Sequence, residues 1–243
     1  MNTESSTNKA TGRAADHIHK AAMKAITPQP MASVQAAAQI RAAILSGSLP
    51  PGTRIAQEEL AAKLGVSREP VRQALIVLER EGLVSNTGGR GAVVALIDPA
   101  FISEVYEFRE IIESFAAAKA ATLPDFDPSP LRKIIADGES ALQAANSELV
   151  IDLDLQFHSG IYGLSANRIV NEVMQTQWSH IRRAMLMYIN IRGYRHEPWE
   201  EHEAIVDAIA NRRAAQARKL AALHCKNART AITATLRMHG RAK

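Results

Sequence analysis

Residues 57–84 read QEELAAKLGVSREPVRQALIVLEREGLV, and this stretch decides the fold. Leu60 and Leu64 share one face of a helix predicted from about Gln57 to Leu64, and Gly65 stands where such a helix ends. Ser67 is placed to cap a third helix running to about Glu81, in whose first turn Pro70 is tolerated. Val71, Ala74, Leu75 and Leu78 follow the i, i+3, i+4, i+7 spacing of a buried stripe, and Gly82 stops the pattern. Two short helices joined by a glycine turn form a helix-turn-helix.

Working outward, a first helix is predicted over Val34–Ser46, closed by Gly47 and followed by a turn through Leu49-Pro50-Pro51-Gly52. Beyond the motif, two β-prone pieces, Leu83-Val84 and Ala92–Leu96, flank a glycine-rich tip, which reads as a hairpin. The order gives a winged helix-turn-helix over 31–97, with Asp98-Pro99 as the linker. Residues 1–30 are polar, lack the apolar core of a signal peptide and read as a flexible tail, with a short helix around Ala14–Ala25. Residues 101–240 show helical patterns only, broken near Pro124–Pro130, Ala145-Asn146, Ser165–Asn167 and Arg192–Pro198. The expected fold class is therefore mainly α: a winged helix-turn-helix followed by an all-α bundle of six or seven helices.

Composition narrows the function classes. A 243-residue chain with 47% hydrophobic residues suits a globular protein. No run of 18 apolar residues predicts a membrane span, and the single cysteine, Cys225, excludes an intramolecular disulfide and fits a reducing cytoplasm. Residues 1–95 hold 11 Lys/Arg against 7 Asp/Glu, whereas 96–243 hold 18 of each. The whole excess of +4 thus lies in the N-terminal part, as expected of a surface facing phosphate.

Arg68 and Arg72 stand one turn apart near the start of the third helix, opposite its apolar stripe. In a helix-turn-helix this helix enters the major groove, where a planar guanidinium matches guanine O6 and N7. Ser67 is placed to cap the helix or bond a phosphate. Arg54 lies just before the middle helix, within reach of the DNA backbone. At the hairpin tip Arg90 is placed for the minor groove, and Gly89 with its neighbouring glycines lets the tip approach closely. Taken singly, each arginine would be an ordinary solvated side chain; the scaffold gives the set its meaning.

Residues 35–96 resemble the DNA-binding domain of GntR-family repressors. The resemblance rests on Gly47-x-Leu49-x-Pro51-Gly52, on Leu60-Ala61-x-x-Leu64-Gly65-Val66-Ser67-Arg68-x-Pro70-Val71-Arg72-x-Ala74-Leu75, and on Glu81-Gly82-Leu83-Val84. It implies that Arg68 and Arg72 read bases. One departure is Glu58, which occupies a place where some members carry a third base-contacting arginine.

A second signal is Asp154-x-x-x-His158, whose spacing puts carboxylate and imidazole on one helix face. His202 and His224 lie on later helical patterns. One Asp and three His form a nitrogen and oxygen donor set suited to Zn, Ni, Mn or Fe(II). Spacing alone leaves open that these are ordinary surface or core histidines. The segment from about 101 to 235 resembles the FCD effector domain of the FadR subfamily. It does so through Tyr106-x-x-Arg109-x-x-x-Glu113, Asp154-x-x-Phe157-His158 with Ser165-x-Asn167, and Glu201-His202-x-x-Ile205-x-x-Ala208-Ile209. The resemblance implies a metal held by Asp154, His158, His202 and His224, and places Arg109 beside it to hold a small organic acid. The plainer reading of Arg109 is a bridge along its own helix to Glu113 or Glu110. Arg182 and Arg183 are further candidates for pocket charge. Cys225 is set aside as a ligand because helix neighbours point about 100° apart, and Met174, Met185 and Met187 read as core filling.

Together these readings predict a homodimeric cytoplasmic regulator, usually a repressor, on double-stranded DNA carrying a short inverted repeat. A small organic-acid effector would set its affinity for that DNA. The alternatives are a metal-dependent enzyme built on the Asp/His cluster, or a regulator whose metal is purely structural.

Overall fold

The computed structural model describes residues 31–87, 91–193 and 195–241. Helix α1 (Met31–Leu45) begins three residues before the predicted start. It is followed by strand β1 (Arg54–Ala56), α2 (Gln57–Leu64), α3 (Arg68–Arg80), β2 (Val84–Asn86) and β3 (Gly91–Val94). Gly65 closes α2 in the left-handed region (φ 66°), and its N–H returns to Ala61 and Ala62 carbonyls. A side chain would strain that conformation, so the tight turn of the helix-turn-helix depends on glycine here. Ser67 occupies the N-cap position of α3, but its side chain makes no capping hydrogen bond, contrary to the sequence expectation.

The wing is a three-stranded antiparallel sheet in the order β1-β3-β2, not a simple hairpin. Ile55 pairs with Ala92 and Val84 with Val94, so β3 lies between its partners. Strand β1 was not expected, because three residues carry too little alternation to announce a strand without the partner that pairs with it. The buried stripe of α3, with Val71, Ala74, Leu75 and Leu78, meets Ile40 and Ile44 of α1 and Ile55, Leu83 and Val94 of the wing. The wing tip, including Gly89 and Arg90, lies outside the described residues.

Seven helices follow among the described residues: α4 (Pro99–Ala120), α5 (Ser129–Gln143), α6 (Ser147–Leu164), α7 (Arg168–Gln175), α8 (Trp178–Arg192), α9 (Glu197–Ala210) and α10 (Ala214–Arg241). Asp98 caps α4 by accepting from Ala100 N at 2.9 Å, with Pro99 in the first turn. Asn146 and Asn167 cap α6 and α7 in the same way. Helices α4 and α10 pack along each other, and Arg229 of α10 reaches Glu107 of α4 at 2.9 Å. Their core includes Phe157, Tyr162, Met174, Ile181, Ile205 and Ile209.

Two helix breaks were missed in the sequence: Thr176-Gln177, before α8, and Asn211–Arg213, before α10. Neither contains glycine or proline. Arg212 takes the left-handed conformation (φ 54°), as do Ala145 and Ala166 at two other junctions, so punctuation by glycine alone does not reveal these turns.

Helix α8 is two-faced. Its Leu186 packs over Gly47, its buried Arg183 donates through Nη2 to the Ala95 carbonyl, and its His180 sits against Gly82 and hydrogen-bonds the Glu81 main chain. Its opposite face, with Met185, Tyr188 and Ile189, lines a cavity inside the helical bundle. Met185 thus lines the cavity while packing against the core, as the sequence suggested.

Candidate functional site

Three helices deliver three histidines to one point. His158 from α6, His202 from α9 and His224 from α10 are all buried, and each offers a ring nitrogen within 4.8 Å of the others. Nε2 of His202 and Nε2 of His224 are 3.3 Å apart. Asp154, one turn before His158 on the buried face of α6, sets Oδ2 3.6 Å from His158 Nε2 and Oδ1 3.7 Å from His202 Nε2. The spacing of four in the sequence thus brings carboxylate and imidazole together, and the fold adds the other two rings.

The second nitrogen of two rings lies beside a carboxylate, within hydrogen-bond geometry at His224 but not at His158. His224 Nδ1 lies 2.7 Å from Glu201 Oε2, and His158 Nδ1 lies 2.9 Å from Glu113 Oε2. At His224 the carboxylate on Nδ1 leaves Nε2 facing the cluster. Phe157 stacks on His202 at 4.0 Å between centroids. Burial pushes His158 below its ordinary pKa although Glu113 opposes the shift. Burial, then His224 and His158, push His202 well below it. Both rings are thereby kept in the neutral form that binds metal.

The donor set fits a divalent ion. Buried His158 Nε2 has no hydrogen-bond partner among the described residues. Gaps of 3.3, 3.6 and 3.7 Å suit neighbouring ligands of an ion bound at about 2.0–2.2 Å.

Beside the cluster is a cavity of about 370 Å³, to which Asp154, His158 and His224 present their side chains. Arg109 lies on its wall and is 1% exposed. It also makes the bridge that the plainer reading predicted: Nε donates to Glu113 Oε1 at 2.8 Å, and Nη2 is 2.7 Å from the same oxygen. Tyr162 Oη donates to that oxygen as well, at 2.8 Å. Despite its burial, Glu113 is held well below the usual carboxylate range by Arg109 and His158. Arg182 and Arg183 are not among the residues lining this cavity; Arg182 pairs with Asp152, and Arg183 faces the wing. Cys225 is buried but is not one of the clustered donors.

On the helix-turn-helix, Arg54, Ser67, Arg68 and Arg72 are all exposed. Arg68 Nη1 lies 2.9 Å from Glu58 Oε1, so the acidic departure noted in the sequence touches a predicted base-reading arginine. Arg72 is held by Glu69 on its own helix at 2.6 Å.

The signature of bacterial regulatory proteins of the gntR family matches residues 32–94, and that of the FCD domain matches residues 104–227, just over half of the chain. The chain belongs to the GntR family.

Its relatives in the family include the Nta operon transcriptional regulator of Aminobacter aminovorans, 31% identical over 67% of this chain and 76% of the relative. Another is the gluconate operon transcriptional repressor of Bacillus subtilis, 28% identical over 72% of this chain and 71% of the relative. Among solved structures, a putative GntR regulator from Rhodococcus sp. RHA1 shares the fold with a TM-score of 0.70 at 24% identity, covering 82% of this chain and 96% of that one. Escherichia coli McbR/YncC does so at 0.67 and 22%, covering 82% and 95%. This GntR-family protein is a DNA-binding transcriptional regulator with a helical FCD domain.

Sequence reasoning missed Glu201 as the partner of His224, and it treated Glu113 only as a bridge for Arg109. The signal for Glu201 was present: it immediately precedes His202 on a helix that must bury His202. For Glu113 the sequence held no signal of His158, which lies 45 residues further on.

Proposed function

We propose that this GntR-family regulator is a metabolite-responsive repressor that binds DNA as a homodimer. In this reading Asp154, His158, His202 and His224 hold a divalent ion, with zinc, nickel or manganese suited to the donor set. The bound ion supplies an anchor for the carboxylate of an organic acid in the adjoining cavity. Arg109 stands on the wall as a hydrogen-bond donor steadied by Glu113. The observation that carries the proposal is the convergence of three buried imidazoles and a carboxylate at the edge of the cavity.

Arg68 and Arg72 read base edges in the major groove, with Arg54, Ser67 and the wing residues Gly89 and Arg90 at the phosphates and minor groove. Dimerisation is supported by an exposed apolar stripe on α4: Phe101, Phe108, Ile111 and Phe115, with Ile111 67% exposed. Such a stripe on one helix face is suited to burial against a second copy. Among the described residues no helix is long and apolar enough to cross a membrane.

The test is a zinc titration of the metal-stripped full chain beside Asp154→Ala and His202→Ala, followed by affinity selection of duplex from a random library. Stoichiometric zinc binding lost in both variants, with selection of an inverted repeat by the wild type, is the expected result. Undiminished zinc binding by the variants would refute the site, and selection of no repeat would refute the dimeric reading head.

A further inference from the structure

The charge distribution around the cavity narrows the kind of acid it takes. The guanidinium of Arg109 donates through Nε to Glu113, with Nη2 2.7 Å from the same oxygen but making no hydrogen bond, and it lies 4.7 Å from the ring centroid of Tyr106. That pair is close to neutral, so the ion would be the main positive pole at the deep end. Among the described residues Arg195 is the other cation on the wall; its side chain is 58% exposed and stands 3.7 Å from Glu197. An ion pair in water at such a rim contributes little to affinity.

Between these two ends the wall is mostly apolar, with Leu142, Val150, Met185, Ile189 and Ile232 beside Tyr188 and Trp199. Asn227 also faces the cavity, but its amide already donates to Glu201 Oε1 at 2.6 Å. Hydroxyls or a second carboxylate set against these aliphatic side chains would lose water without gaining partners.

We infer that the effector is an acid with one anionic head and an apolar body, and not a sugar acid or a small dicarboxylate. This rests on the metal-linked cavity proposed above. The head would meet the ion, and the body would lie along the face of α8 that carries Met185 and Ile189.

The test is calorimetric titration of the zinc-loaded full chain with acetate, butanoate, hexanoate and octanoate, and separately with citrate and gluconate. Affinity is expected to rise about fourfold for each added methylene, with citrate and gluconate at least tenfold weaker than octanoate. Met185→Gln, at a partly buried wall position, should weaken octanoate and leave acetate unchanged. Citrate or gluconate matching octanoate, or no dependence on chain length, would overturn the inference. So would equal losses for acetate and octanoate in Met185→Gln. A zinc isotherm run beforehand separates the two ideas. Normal zinc uptake with the wrong order of acids sinks this inference alone, whereas failure to take up zinc sinks the metal-linked reading and this inference with it.

Discussion

Glu113 Oε2 lies 2.9 Å from His158 Nδ1, while Glu113 Oε1 accepts from both Arg109 and Tyr162. One carboxylate therefore neutralises a buried arginine and orients a candidate ligand. In Glu113→Gln the charge is lost and the amide must present its N–H side to a donor. Removing one partner of a buried pair costs about 3–5 kcal/mol, and losing the carboxylate behind a ligating imidazole costs about 10–100-fold in metal affinity. Urea denaturation of the metal-free chain and a competitive zinc titration measure the two effects separately. Unchanged zinc affinity would show that Glu113 does not set the ring's tautomer.

Arg68 and Glu58 form a pair on the surface proposed to meet DNA, with side chains 58% and 75% exposed. Before Arg68 can bond a base it must leave that carboxylate. Glu58→Gln should tighten DNA binding, by no more than about fivefold because exposed pairs are weak. It should also steepen the salt dependence, since one repulsive charge leaves the phosphate-facing surface. Arg68→Ala should lose about 1–3 kcal/mol of base discrimination. Fluorescence anisotropy on the selected duplex at several salt concentrations reports both variants; weaker binding by Glu58→Gln would mean that the carboxylate itself contacts a base.

Gly138 lies inside α5, where alanine would ordinarily favour the helix by about 1 kcal/mol. A Cβ there would run into the indole ring of Trp199, which is 2% exposed and lines the cavity. Gly138→Ala is expected to overpack the site and destabilise the chain by about 1–3 kcal/mol. A lowered melting temperature with a shifted tryptophan emission is the expected signature; a rise in melting temperature would show that α5 can move aside freely.

His180 is half-buried between Gly82 and Phe101, whose ring meets it edge-on at 4.9 Å. Burial, then Arg183, lowers its pKa, and the Glu81 main chain partly opposes this. The folded state thus holds this proton less tightly than the unfolded chain, whose histidines titrate near about 6.5. Its contribution to stability is intact above that pH and is lost as pH falls through the folded value. Urea denaturation at pH 5.5 and 7.5 should give a smaller acid-induced loss in His180→Gln than in the wild type. An equal loss in both would place the acid sensitivity elsewhere.

What could be read in the sequence was what repeats along a helix. The stripe Val71, Ala74, Leu75 and Leu78 and the pair Asp154 and His158 are local, and both stand where spacing put them. The contacts of Glu113 with His158 and of Glu201 with His224 join residues 45 and 23 positions apart, so no local period encodes them. Strand β1 exists only because β3 pairs with it. The turns at Ala145, Ala166 and Arg212 adopt a backbone conformation that the residue types themselves disfavour, and the packing of the flanking helices sets it.

The grip of α8 on the winged helix-turn-helix falls largely on main chain: the Ala95 carbonyl, the Glu81 backbone, and the space over Gly47 and Gly82. Peptide groups are the same whatever side chains they carry. The side chains of α3 are thus free to change without the helical domain having to find new contacts, and one helical domain can serve as a common chassis for many DNA-reading surfaces.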